Sequence, residues 1–160
     1  MNYTCLDTPI GPLLIAGDEE AIRHIAFPKN GKARRPEPGW RESARGVVGE
    51  AVRQLREYFE GRRTEFDLPL APEGTLFQRT VWRRLRDIPY GETISYGELA
   101  RRAGNPKASR AVGAANGANP IPVVIPCHRV IGADGTLTGF GGGLPIKRKL
   151  LALESKQLTL

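Results

Sequence analysis

Apolar positions change their period twice along this chain. In the first thirty residues they come in short strand-like runs at 3–6, 13–16 and 22–27. The turn sequences Thr8-Pro9-Ile10-Gly11 and Gly17-Asp18-Glu19-Glu20 separate them, which predicts a small antiparallel meander. Residues 28–41 are polar and rich in Pro and Gly, and read as a linker. A helix is predicted from about residue 42 to 59, with Val47 or Val48, Ala51, Leu55 and Tyr58 or Phe59 on one face and Gly61 as its stop. Residues 68–70 are a short extended piece. Ala71-Pro72-Glu73-Gly74 marks a boundary, giving an N-terminal unit over 1–72 and a C-terminal one over 73–160.

Beyond that boundary the period becomes helical. Thr75 and Gln78 have capping-box spacing, and Phe77, Val81, Leu85 and Ile88 follow as an apolar stripe, with Arg79, Arg83, Arg84 and Arg86 largely on other faces. Pro89-Tyr90-Gly91 closes this helix. Ser95 and Glu98 form a second capping box, on a short helix ending at Gly104. A third helix is predicted from Lys107 or Ala108 to about Asn116. Two short helices joined by a Gly-containing turn suggest a helix-turn-helix. In the third helix, which begins Ala108-Ser109-Arg110, Arg110 is the only long side chain. Reading base edges in the major groove takes several long polar side chains, whereas small residues permit close backbone approach without sequence readout. Residues 121–126 are then a Val- and Ile-rich run bounded by prolines, predicting a buried extended segment that carries Cys127 into the protein.

Charge sharpens this picture. The chain has 160 residues and a net charge of +7. Residues 1–74 hold 11 Lys and Arg against 12 Asp and Glu, while residues 75–160 hold 13 against 5. All the excess positive charge thus lies in the half with Cys127, the footprint of a polyanion such as nucleic acid. The two cysteines, Cys5 and Cys127, suggest no disulfide framework and fit a reducing compartment. Cys5 and His24 are too few ligands for a structural zinc, so no metal is expected. Without a signal peptide or a long apolar run, a cytoplasmic, nucleoid-associated protein is expected and no membrane partner.

Cys127-His128-Arg129 is the candidate chemistry. Burial alone raises a thiol above its free value of about 8.5, and either adjacent basic residue could offset that and favour the thiolate. In an extended chain neighbouring side chains point apart, so Cys127 and His128 need a turn or a bridging water to communicate. A buried structural cysteine is the competing reading.

The longer string decides between them. Pro126-Cys127-His128-Arg129-Val130 resembles the active-site signature of the O6-alkylguanine-DNA alkyltransferases. The resemblance extends upstream through Ser95-Tyr96-Gly97-Glu98-Leu99-Ala100, Arg110-Ala111-Val112-Gly113 and Asn119-Pro120. Downstream it takes in Gly139-Phe140-Gly141-Gly142-Gly143 and Leu150-Leu151-Ala152-Leu153-Glu154.

It implies an α/β fold: a small antiparallel sheet-plus-helix, ribonuclease-H-like subdomain, then a mainly helical winged-helix-like subdomain with the helix-turn-helix. It implies that Cys127 takes the alkyl group once and irreversibly, with His128 acting through a water and Glu154 orienting His128. Asn119 would pin the turn before the cysteine. Arg110 would fill the gap left by the flipped nucleotide and Tyr96 would turn its phosphate, with Ser95, Ala108 and Ser109 also at the DNA. Val130, Phe140 and Gly141 would line the pocket with Tyr96, the main-chain carbonyls of Cys127 and Val130 reading the guanine amino group. Arg129 would bond within the fold. The implied partner is double-stranded DNA carrying O6-alkylguanine, with O4-alkylthymine a second candidate, met by a monomer acting singly or in cooperating copies. No cofactor is implied.

The chain departs from the family at Phe140-Gly141, where a tyrosine followed by Ser or Ala is common, so one pocket hydroxyl is lost. A lesion-recognition protein without chemistry, a Cys-His-Glu hydrolase and a winged-helix regulator are the alternatives. The first is disfavoured by the cysteine itself, the second by the basic half and the lack of an oxyanion loop, the third by the third helix.

Overall fold

A computed structural model describes the backbone of residues 1–159 and the side chains of residues 1–155. The chain divides into two compact units, Met1–Pro72 and Glu73–Leu160.

In the first unit β1 (Asn2–Leu6), β2 (Leu13–Gly17) and β3 (Ile22–Ala26) form the expected antiparallel meander. A fourth strand, β4 (Arg41–Glu42), joins parallel to β1, giving the order β3-β2-β1-β4. It accounts for a correction. The helix expected from residue 42 begins later, as α1 (Gly46–Phe59). Arg41 N donates to Met1 O and Ser43 N to Tyr3 O, so the sheet claims these amides before a helix can. Gly46 adopts a φ of 61°, which blocks helical continuation upstream. Every residue of the central strand β2 is buried, and Val48, Ala51, Leu55 and Tyr58 of α1 are buried as well. His24 stacks on Trp40 with ring centroids 5.7 Å apart, and Cys5 is exposed.

The second unit opens with α2 (Leu76–Leu85), capped as its sequence predicts. Thr75 Oγ1 accepts from Gln78 N, and Gln78 Oε1 accepts from Thr75 N. Val81, Leu85 and Ile88 are buried, joined by Trp82, whose Nε1 donates to Ala115 O at 2.8 Å. After β5 (Ile94–Ser95) comes α3 (Tyr96–Arg102), where the second capping box is only half formed. Ser95 Oγ accepts from Glu98 N, but the Glu98 carboxylate turns to Arg101 instead. Gly104, at a φ of 84°, supplies the turn into α4 (Ser109–Gly117). β6 (Val130–Ile131) pairs parallel with β5, and α5 (Leu144–Thr159) ends the description. The α/β class, a small sheet with one helix followed by a mainly helical unit, is the one expected. Among the described residues no helix is long and apolar enough to cross a membrane.

Candidate active site

The apolar run is buried as expected but not extended. Residues 121–130 are all buried, yet Ile125 N donates to Ile121 O at 2.9 Å and the run folds into a tight loop. Val123 sits at a φ of 73°, a left-handed conformation that a β-branched residue adopts only under constraint. The constraint is Asn119. Its Nδ2 donates to Ile125 O at 2.7 Å and its Oδ1 accepts from Ile121 N at 2.9 Å. Pattern alone could not find this, because the bonds that close the loop come from one side chain. Asn119→Ala would orphan both groups and destabilise the fold by about 2–4 kcal/mol, measured by chemical denaturation; a loss under about 0.5 kcal/mol would show that the loop holds its shape without it.

The chain then makes a 3-10 turn over Cys127–Arg129, one of the two arrangements open to the adjacent Cys-His pair. Burial pushes the Cys127 thiol up to about 11, opposed by a hydrogen bond from the Asn119 side chain and by the charge of Lys147. By sequence that offset is open to His128 or Arg129. In the folded chain both are turned to Glu154 instead. His128 Nε2 lies 2.7 Å from Glu154 Oε2, and Arg129 donates from Nε to Oε1 at 2.8 Å and from Nη2 to Oε2 at 3.0 Å. Burial raises the Glu154 carboxyl, but the bonds and charges of His128 and Arg129 more than offset this and hold it well below the usual carboxylate range. Burial lowers His128 below an ordinary imidazole, with Glu154 opposing. Glu154, which by itself reads as a surface carboxylate near a helix end, is 1 % exposed.

An ionised carboxylate only accepts, so the contact fixes the His128 tautomer. Nε2 carries the hydrogen and Nδ1 keeps the basic lone pair. Nδ1 is buried and has no hydrogen-bond partner among the described residues.

The remaining candidates occupy two regions. Arg110 is exposed at the second position of α4, with Ser109 before it and Ala108 as the N-cap residue. Tyr96 opens α3 directly after Ser95, and its hydroxyl donates to Thr138 O at 3.3 Å. Gly141 lies exposed in the loop before α5, and Phe140 is half-buried there.

Lys147 escaped the sequence reading. It is fully buried in α5, and Nζ donates to Val130 O at 2.6 Å and to Thr138 O at 3.2 Å. Its ammonium lies 6.0 Å from the Tyr96 ring centroid and 5.7 Å from that of Phe140. Burial lowers its proton affinity, and Cys127 opposes that. A lysine at the head of the basic run Lys147-Arg148-Lys149 reads in sequence as a solvated helix face; its role needs the loop folded over it. Asn116, also unpredicted, is buried and donates from Nδ2 to Cys127 O at 3.4 Å. The Val130 carbonyl is already engaged by Lys147. Among the described residues no group of three His, Cys, Asp or Glu could hold a metal ion.

A buried thiol beside a cation, followed in the same turn by a histidine paired with a glutamate, with a basic helix-turn-helix in the same unit, suits nucleophilic attack on a base brought from outside. Known proteins agree. The family described as 6-O-methylguanine DNA methyltransferase, ribonuclease-like domain, matches residues 1–72. The corresponding DNA binding domain matches residues 76–156. A methylated-DNA–protein-cysteine methyltransferase of Methanosarcina acetivorans is 54% identical, over 96% of this chain and 98% of its own. One from Haemophilus influenzae is 53% identical, over 96% and 86%. A crystal structure of Mycobacterium tuberculosis OGT in complex with DNA superposes with a TM-score of 0.90 at 48% identity, covering 98% of this chain and 94% of that one. The chain belongs to the 6-O-methylguanine DNA methyltransferase family.

Proposed function

We propose that this chain is a methylated-DNA–protein-cysteine methyltransferase that repairs O6-alkylguanine, and by the same chemistry O4-alkylthymine, by one irreversible transfer to Cys127. The observation that carries the reading is a buried thiol followed directly by a buried imidazole whose Nε2 is tied to Glu154. Such a thiol needs a base at hand. His128 Nδ1 takes the proton through a water, and Lys147 and the Asn119 amide favour the thiolate as it forms. The sulfur attacks the alkyl carbon and the carbon–O6 bond breaks. The electron pair passes into the guanine ring, which picks up the proton at nitrogen. The products are normal guanine and S-alkylcysteine. A thioether offers water no electrophilic carbonyl, so Cys127 is not regenerated.

The base must leave the duplex to reach a thiol at this depth. Residues 73–160 serve as the DNA-binding and alkyl-acceptor part. α4 approaches the phosphate backbone with its small residues, Ala108 and Ser109 at its start, and Arg110 fills the vacated stack. Ser95 and Tyr96 meet the target phosphate, while Tyr96, Val130, Phe140 and Gly141 line the pocket. The chain acts as a monomer on double-stranded DNA, in the cytoplasm at the nucleoid.

Incubation with an oligonucleotide holding one O6-methylguanine tests this by intact-protein mass spectrometry. One methyl per chain, mapped to Cys127, is expected. Lesion binding with no mass change would leave a recognition protein and sink the transferase. Arg110→Ala should slow repair of duplex DNA by on the order of 10- to 100-fold, because an unstacked base costs a few kcal/mol to hold. Its reaction with a free O6-alkylguanine base should stay within about twofold, since no stack is opened. Equal losses on both substrates would remove the flipping role.

A further inference from the structure

Glu154 serves two partners at once. Both of its oxygens accept the Arg129 fork, Oε2 also accepts His128 Nε2, and Gly91 N approaches Oε1 at 3.4 Å. The third arm of Arg129, Nη1, donates to Ile88 O at 2.7 Å, which fixes the guanidinium in place. The cluster is buried: His128 is 0 %, Glu154 1 % and Arg129 6 % exposed.

This arrangement answers a difficulty in using a His-Glu pair as a base. A buried carboxylate bonded to an imidazole stabilises the imidazolium, and an imidazolium cannot accept a proton. Arginine stays charged in proteins and matches a carboxylate with two parallel bonds. With Arg129 in place, carboxylate and guanidinium cancel, and a proton added to His128 would be an uncompensated buried charge.

We propose that Arg129 is a positioning residue for alkyl transfer: by occupying both oxygens of Glu154 it keeps His128 neutral, so that Nδ1 can accept the Cys127 proton. The proposal rests on the reading of His128 as the base. The groups facing His128 are few. From α5 act Glu154 and Lys147 and from its own turn Arg129, while Tyr90, from the segment after α2, lies against Arg129, its ring centroid 5.7 Å from the guanidinium carbon. Lys147 also disfavours a proton on His128, but it bonds carbonyls rather than Glu154. Arg129 forks both oxygens of the carboxylate that would otherwise recruit the proton.

The test combines single-turnover transfer rates from acid to alkaline pH with nitrogen NMR of the His128 ring. The chain has two histidines, so a His24→Gln variant assigns the signals. In the unsubstituted protein His128 should stay neutral, protonated on Nε2, to below the ordinary value of about 6.5, and the acid limb of the rate should follow its titration. In Arg129→Gln the NMR midpoint and the acid limb should rise together by about one to two pH units, lowering the rate at neutral pH by about tenfold. The rate should recover at alkaline pH to the unsubstituted plateau, which a merely structural loss would not do. Arg129→Lys, with charge but no fork, should give a smaller shift.

A folded Arg129→Gln protein with an unmoved acid limb overturns the assignment. So does His128 titrating at or above about 6.5 in the native chain, which decides the matter even if neither variant folds. A native rate that ignores His128 ionisation removes the base reading itself; a native rate that follows it, with no response in Arg129→Gln, removes only the role of Arg129.

Discussion

Cys127→Ser is expected to lower alkyl transfer by on the order of 10⁴-fold or more, below detection, while lesion binding persists. A serine hydroxyl ionises far less readily than a thiol and is the poorer nucleophile toward a saturated carbon. The site deepens that handicap. Burial pushes the thiol to about 11 even with Asn119 and Lys147 opposing it. Serine is slightly smaller than cysteine, so the loop keeps its shape and DNA affinity survives. Intact mass after a long incubation, with fluorescence anisotropy for binding, checks both halves. The chain carries an internal comparison in exposed Cys5, whose thiol is raised by burial, Glu42 and Asp7. No basic group is among the causes acting on it, so it should stay unmodified. A methyl group on Cys5, or at any site in Cys127→Ser, would contradict the assignment.

Glu154→Ala should cost about 3–5 kcal/mol of stability, the usual penalty for leaving a buried charge without its partner. Arg129 and His128 would both be stranded, in a cluster where Glu154 is 1 % and Arg129 6 % exposed. Transfer should fall as well, by about 10²–10⁴-fold, because the base loses its orientation and tautomer. Urea denaturation and single-turnover rates measure the two effects; a stability loss under about 1 kcal/mol would mean that water or a neighbour replaces the carboxylate. The sign of the pH dependence follows from the carboxyl being held down in the folded state. Its contribution is complete above the unfolded value of about 4.3 and is lost as pH falls through the lower folded value. Glu154→Ala should therefore lose this part of the acid sensitivity.

Local signals account for much of what the sequence reveals. Thr75 and Gln78 cap α2 reciprocally because both bonds lie within one turn. Gly104 ends α3 because a left-handed residue is needed there. The spacing of Val81 and Leu85 places them inward whatever they pack against. These are short-range constraints, and a single chain displays them. β4 is the counterexample. Arg41 and Glu42 are polar, short and adjacent to a helical pattern, and only the edge of β1 makes them a strand.

The site divides along the same line. The order Cys127-His128-Arg129, the Asn119 upstream and the excess positive charge beyond residue 74 are written in the sequence. Which neighbour tunes which group is not, because those effects depend on distances that only packing creates. Residues 127 and 128 are adjacent in the chain, yet His128 bonds Glu154, 26 positions away, while the charge that assists the thiol comes from Lys147. The apolar character of residues 121–125 determined that they would be buried; the Asn119 bonds determined that they would be looped, with Val123 forced to positive φ. Sequence determines what each residue can do. Burial in a medium of low dielectric decides what it does, because there a few ångströms separate a charge that stabilises from one that is merely near.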